Sequence, residues 1–275
     1  MWPVFQIAKA AVQFRDYKPQ PITWASTNRW VRQFAKTDQK YICRLLEKVV
    51  YLSERSTTQI LVDQNSAIQK RLFAAGLRPM DLIYVTIDEP GSSSGVMLSI
   101  LRDKFGLEQM GCRFFDSRNT LGINEVTNKL GKGAIIYIDD FVGTGDQFCR
   151  ARDFAAQNIV GTFSEFLLVP SICEEAYYKL GERGIEAFTG HLHSKVDRPL
   201  HANSAILAPA AKDRLVELCR EINPKMALGY EDMAAMVILY RNSPNNIPAV
   251  LRGNPHGAKY HGLFPRFKDL PPIKV

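Results

Sequence analysis

The sequence predicts an α/β fold in which a parallel sheet is flanked by helices, with a helical region before it and an irregular extension after it. Two observations carry the prediction. Ile135, Ile136, Tyr137 and Ile138 are β-branched or aromatic with no polar alternation, the pattern of a strand buried on both faces of a parallel sheet. Between residues 82 and 189, apolar runs of strand length alternate with loops and helical stripes, which is how a sheet covered on both sides is built. At 275 residues and 46% hydrophobic, the chain can bury a sizeable core as one elaborated domain or as a domain with an appended subdomain.

Taken in order, residues 1 to about 25 contain Pro3, Pro19 and Pro21 and read as mostly irregular, anchored by Trp2, Phe5, Phe14, Tyr17 and Trp24. Ser26 can cap a helix whose Trp30, Val31 and Phe34 share one face. Thr37-Asp38 starts another, carrying the stripe Tyr41, Ile42, Leu45, Leu46, Val49 and Leu52. A third helix spans about 56 to 75 and stops at Gly76 and Pro79. Leu82–Ile87 is the first clear strand, followed by Asp88-Glu-Pro-Gly-Ser-Ser-Ser-Gly95 and a helix with Val96, Met97, Leu98, Ile100 and Leu101. Such a Gly/Ser loop either donates several hydrogen bonds to an anion or simply caps the helix. A short strand at 112–115, a helix near 124–130, the central strand, a strand at 163–169, a helix at 174–180 and a strand at 185–189 complete the alternation. Pro209–Ile222 reads as a helix, and Glu231–Tyr240 as a helix or strand. The expected division is a helical region 1–80, an α/β core 81–210, and an extension 211–275 packed on that core.

Composition narrows the chemistry. A formal charge of +7 and a pI near 9.1 favour anionic partners. Arg29, Arg32, Lys36, Lys40 and Arg44, and again Arg252, Lys259, Arg266 and Lys268, are either solvated faces or a nucleic-acid surface. Cys43, Cys112, Cys149, Cys173 and Cys219 are scattered, with no CxxC pair, so buried free thiols are expected; Cys149 stands near the start of the helix after the glycine loop, a place that can lower a thiol pKa. His191, His193, Asp197 and His201 cluster in sequence without a glutamate or cysteine to complete a metal set. No apolar run approaches a membrane span, and MWPVFQIAKA is no secretory leader, so a soluble, cytoplasmic chain without membrane contact is expected.

The central stretch is Ile135–Gln147, IIYIDDFVGTGDQ. After the strand come Asp139 and Asp140, then Gly143, Thr144 and Gly145, then a helix beginning near Asp146. Glycines let backbone N–H groups approach an anion, and the positive end of the following helix favours a phosphate there. Carboxylates at a strand's carboxyl end can accept from sugar hydroxyls or hold a hydrated Mg²⁺. A Gly-containing turn before a helix is common to all doubly wound sheets, but two adjacent acids at a strand end are hard to explain by packing alone.

At these residues the chain resembles the type I phosphoribosyltransferases, whose fold is a Rossmann-type sheet. The resemblance implies that Asp139 and Asp140 face the ribose 2′ and 3′ hydroxyls of phosphoribosyl pyrophosphate and hold Mg²⁺ through water or substrate. It also implies that Gly143, Thr144, Gly145, Asp146 and Gln147 surround the 5′-phosphate, with Ser93, Ser94 and Gly95 meeting the pyrophosphate. The pattern departs from the family at Asp146, where a small neutral residue is usual, and at Gln147, where Thr or Ser is usual. The tail, Tyr240-Arg-Asn-Ser-Pro-Asn-Asn-Ile-Pro248 and then Leu263-Phe-Pro-Arg266, looks like that of phosphoribosyltransferase-like effectors in bacterial antiphage systems, retrons among them. The implied activity is pentosyl transfer or cleavage at the anomeric carbon. The alternative is a catalytically degenerate nucleotide-sensing or toxin-type module docking on a reverse transcriptase with its RNA or DNA; under either reading a homo-oligomer is a further possible partner. An S-adenosylmethionine-dependent methyltransferase is a more distant alternative: Asn242-Ser243-Pro244-Asn245 lacks the second proline and the aromatic that amino methylation would want.

Overall fold

The computed structural model describes residues 2–87, 92–254 and 259–270. In chain order the helices and strands are α1 Trp2–Gln13, α2 Trp24–Arg32, α3 Lys36–Leu46, β1 Val50–Leu52, α4 Glu54–Ala74, β2 Leu82–Thr86, α5 Ser93–Phe105 and β3 Arg113–Asp116. There follow α6 Thr120–Leu130, β4 Lys132–Ile138, β5 Phe141–Val142, α7 Asp146–Ala156, β6 Thr162–Cys173, α8 Glu174–Glu182, β7 Glu186–His193, α9 Pro209–Ile222, β8 Val237–Leu239 and α10 Ala249–Arg252. They form two compact units, one of Met1–Arg55 with His193–Val275 and one of Ser56–Leu192.

The contiguous unit holds a sheet in the order β3-β2-β4-β6-β5, with β7 also paired to β6. β2 pairs in parallel with β3, Thr86 opposite Asp116, and with β4, Thr86 opposite Ile138, and β4 pairs in parallel with β6, Ile138 opposite Leu168. Alternation sorts its side chains. Ile83, Val85, Ile135, Tyr137, Leu167 and Val169 share one buried cluster with Ile123 of α6, Phe148 of α7 and Leu180 of α8. Tyr84 points the other way, where its hydroxyl donates to Asn65 Oδ1 of α4 at 2.9 Å and accepts from Gln69 Nε2 at 3.2 Å. Arg102 of α5 lies over the ring of Phe114, which stacks on Tyr84, so α4 and α5 cover that second face. Helices on both faces of a parallel sheet are what the continuous apolar runs require. Gly133 lets β4 start tight against the turn that leads into β2, since a Cβ there would sit 2.3 Å from the Asp81 carbonyl oxygen.

The other unit is built from both ends of the chain. β1 pairs in parallel with β8, Val50 opposite Val237 and Leu52 opposite Leu239. Its core joins Ile7, Phe14, Trp30, Ile42 and Leu45 to Leu215, Cys219, Val250 and Phe264. The expected boundaries at 80 and 210 are therefore replaced: residues 1–55 and 193–275 form one body because their apolar stripes cover each other. The expected irregular N-terminus is likewise corrected. Ile7, Ala10 and Phe14 recur at helical spacing and are buried, and Pro3 falls in the first turn of α1, where its missing N–H breaks no helical bond. Thr23, not Ser26, caps α2; its side chain accepts from Ser26 N–H while Ser26 Oγ accepts from Thr23 N–H at 2.8 Å. The tail motifs are staples in this unit: Ser243 Oγ donates to the Phe264 carbonyl at 2.8 Å, and Tyr17 OH donates to Pro265 O at 2.7 Å. Among the described residues no helix is long and apolar enough to cross a membrane.

Candidate functional site

The sheet order fixes where a ligand can meet the contiguous unit. From β2 the chain moves to β3 on one side and then crosses to β4 on the other, so the segments leaving the carboxyl ends of β2 and β4 diverge and open a crevice between them. The two sequence-predicted segments follow these strands: Ser93, Ser94 and Gly95 at the start of α5, after β2, and Asp139–Gln147 between β4 and the first turn of α7. Asp88–Gly91, the first half of the predicted serine loop, lie outside the described residues.

At the carboxyl end of β4 the two acids differ. Asp139 is buried, and its Oδ1 accepts the Asp140 N–H at 2.8 Å, while Asp140 itself is half-buried. The chain then makes β5, which pairs Phe141 with Ser171 and Val142 with Ile172 at the far end of β6. The pairing keeps the register of β4 with β6, so β5 prolongs β4 along β6 before the glycine loop. Gly143 is buried, Thr144 half-buried, and Gly145 takes φ +81° as the residue before α7. A Cβ on Gly145 would meet Ala176 Cβ and Leu180 Cδ1, each at 3.3 Å, so α8 closes one side of the bend. Thr144 Oγ1 accepts the Asp146 N–H at 3.3 Å and donates to Asp146 Oδ2 at 2.9 Å, an ST-type cap on the helix start. Gln147 is exposed on the first turn.

The extra negative charge at Asp146 has a counterpart. Lys179 of α8 forms an ion pair with Asp146 Oδ1. The Lys179 ammonium, helped by the Thr144 hydroxyl and opposed by slight burial, holds the Asp146 carboxyl below the ordinary value of 3.8. The departure seen in the sequence is thus locally neutralised. Lys179 was invisible to sequence reasoning: it lies 33 residues from Asp146 on a helix whose apolar stripe gave no sign of a charged partner. Behind the loop, Tyr137 OH donates to Glu165 Oε2 at 2.9 Å and Arg152 Nε donates to the same oxygen at 2.7 Å, tying α7 to β4 and β6.

At the second segment, the cap of α5 is Ser92, whose Oγ accepts the Gly95 N–H at 3.5 Å and lies 2.9 Å from Ser94 Oγ. Ser94 is fully buried, whereas Ser93 and Gly95 are half-buried. Ser117, after β3, is buried and donates to the Ile87 carbonyl at 2.8 Å, fastening the β3 end to the β2 end. Cys149 lies buried in the second turn of α7. Elsewhere, His193 is buried and its Nε2 accepts the Met236 N–H at 2.9 Å, while His201 Nδ1 accepts the Asn203 N–H at 3.1 Å, so both histidines serve the backbone.

The donor set at Asp139 and Asp140 suits a hard cation bound through one or two carboxylates, its other ligands coming from water and substrate; among the described residues no three His, Cys, Asp or Glu converge on a closed metal site. The two carboxylates stand at the carboxyl end of β4, and the acid at the start of α7 is paired with the Lys179 ammonium.

The family model PRTase-CE matches residues 27–266. No curated protein matches. Two solved structures resemble the chain at low identity. A hypothetical protein from Neisseria gonorrhoeae with bound ppGpp is 13% identical over 62% of this chain and 97% of its own, with a TM-score of 0.36. The AQ2163 protein from Aquifex aeolicus is 9% identical over 62% of this chain and 83% of its own, with a TM-score of 0.33.

Proposed function

The chain belongs to the PRTase-CE family, and on that premise we propose that the crevice between β2 and β4 binds a ribose phosphate of the phosphoribosyl pyrophosphate class together with Mg²⁺ and acts at the anomeric carbon. The observation carrying this reading is the paired carboxylates at the end of β4 beside a helix start whose own acid, Asp146, is neutralised by Lys179. In this reading Asp140 and Asp139 accept from the ribose hydroxyls. Amides of Gly143–Gln147 hold the 5′-phosphate at the positive end of α7. Ser93 and Gly95, with Ser94 beneath them, border the leaving pyrophosphate. Breaking the bond between the anomeric carbon and that leaving group develops positive charge on the ribose ring, by analogy with glycoside cleavage. The chain's contribution is to orient the donor and to exclude water while that charge exists. Mg²⁺, when bound by the carboxylates and substrate oxygens, would screen the pyrophosphate charge.

We place this activity in an effector of antiphage defence, a setting that rests on the tail motifs Ser243–Asn246 and Leu263–Arg266. A second reading, a nucleotide-sensing module that docks on a reverse transcriptase with its RNA or DNA, draws on the engagement of Asp139 by the Asp140 N–H. Calorimetric titration of phosphoribosyl pyrophosphate with and without Mg²⁺, on wild type and on Asp139→Asn/Asp140→Asn, separates the two. Binding that needs the acids, with pyrophosphate release, supports the enzyme. Binding without release favours the sensor, and no binding by wild type removes the enzyme reading. Plating efficiency of phage on cells carrying Asp140→Asn tests the defence setting.

A further inference from the structure

Charge is divided unequally between the two units. The contiguous unit, 56–192, holds 13 Lys and Arg against 17 Asp and Glu, while the unit made from both chain ends holds 22 against 11. The basic surplus is therefore carried entirely by the unit that lacks the crevice.

Within that unit five of the cations lie along α3 and at the corner before it. Lys36, Lys40 and Arg44 recur at i, i+4 and i+8 along α3 and are exposed, so they span about 12 Å along the helix while turning only about 80° around it. Arg32, four residues before Lys36, ends α2 and is also exposed. The corner between the helices brings in a fifth cation from the far end of the chain. Phe34 stacks on Tyr260 with centroids 5.7 Å apart, Lys259 Nζ lies 4.9 Å from the Tyr260 ring, and Gln33 exchanges two 2.9 Å hydrogen bonds with the His261 backbone.

Two features separate this stripe from an ordinary solvated helix face. Among the described residues none of Arg32, Lys36, Lys40, Arg44 or Lys259 enters an ion pair. The carboxylate inside the stripe's span, Asp38, is buried and taken by Arg214 at 2.9 Å on the opposite side; Glu47 follows at the helix end. Second, two half-buried tyrosines stand beside the cations, Tyr41 under Lys40 at 4.7 Å and Tyr260 under Lys259. Unpaired cations in a row favour a chain of phosphates, and rings set among them favour bases free to stack.

We propose that this stripe is a binding surface for single-stranded nucleic acid, separate from the crevice and independent of what the crevice binds. Fluorescence anisotropy of a labelled 20-nucleotide single strand, on the full chain and without any ribose phosphate present, tests it. Five phosphate contacts give a slope of log K against log salt near −3.5, hence about 100-fold weaker binding at 200 mM than at 50 mM salt. Lys36→Gln/Lys40→Gln/Arg44→Gln should flatten that slope by about 2. Tyr41→Leu should weaken binding about 5- to 100-fold with the slope unchanged. All the charge substitutions are at exposed positions, and circular dichroism checks the tyrosine variant's folding. The proposal is overturned if wild type fails to bind at 50 mM salt, if the triple variant keeps the wild-type slope, or if duplex binds as tightly as the single strand. It is overturned equally if polyglutamate or anionic phosphatidylserine vesicles compete at matched charge, since the surface would then read charge alone.

Discussion

Lys179→Met tests whether the acid at the start of α7 is compatible with a phosphate site only because of its partner. Methionine keeps much of the aliphatic stem of Lys179 on α8 but leaves Asp146 unneutralised. Both side chains are about one-third exposed, Lys179 40% and Asp146 35%, so the effective permittivity is close to that of water rather than of a protein core. With roughly 5 Å between the Asp146 carboxylate and a phosphate on the first turn, and a permittivity of about 40–80, each unit of phosphate charge is repelled by roughly 1–2 kcal/mol. For a singly charged phosphate that predicts about 5- to 30-fold weaker binding of phosphoribosyl pyrophosphate by calorimetry at low salt, more for the dianion, and a smaller loss at high salt. Adding Asp146→Asn should restore affinity, because the repelling charge is gone. The same pair sets a pH signature. A carboxyl held below 3.8 in the folded chain contributes stability above that pH and loses it as the pH falls through its lowered value; in Lys179→Met the Asp146 titration followed by carbon NMR should move up toward 3.8. Wild-type affinity in Lys179→Met, or no recovery in the double variant, would refute the reasoning.

Three further outcomes are expected. Gly145→Ala should lose about 1–2 kcal/mol in urea unfolding, from a left-handed φ of +81° and the 3.3 Å approach to Ala176 and Leu180; unchanged stability would mean that the bend is not clamped. Glu165→Ala leaves the Arg152 guanidinium and the Tyr137 hydroxyl without their shared acceptor and should cost roughly 2–4 kcal/mol, with a loss under about 0.5 kcal/mol sinking the view that this group braces α7. Burial pushes the thiols of Cys43 and Cys112 up to about 11 and that of Cys219 up to about 12, so they should react with a disulfide reagent at neutral pH only as the chain unfolds. Stoichiometric labelling of all three in the native state would contradict their placement.

Much of the contiguous unit was legible because its signals are local. The apolar run ending at Ile138 becomes β4, and the glycine bend leads into α7. What was not legible depends on pairings between distant residues. β5 is two residues long and exists because β6 runs on to Cys173 and offers Ser171 and Ile172 as partners. β8 is three residues, and its run Val237-Ile238-Leu239 could equally have been helical until paired with Val50–Leu52. The prolines at 3, 19 and 21 suggested an irregular start, yet Pro3 sits where a helix tolerates it and the other two follow α1. Lys179 falls in the same class: its role exists only once α8 is folded against the bend.

The pairing of Val50–Leu52 with Val237–Leu239 sets an order of events during synthesis. Every residue of the crevice-bearing body, 56–192, has been added before the ribosome reaches Val237, 45 residues later. At roughly 5–20 residues per second that interval is about 2–9 s, long compared with the folding of many single domains. Throughout it Phe14, Ile42 and Leu45 lack the α9, β8 and α10 surfaces that complete their core, so the nascent chain's demand for chaperones should fall on its first 55 residues rather than on the body that follows them.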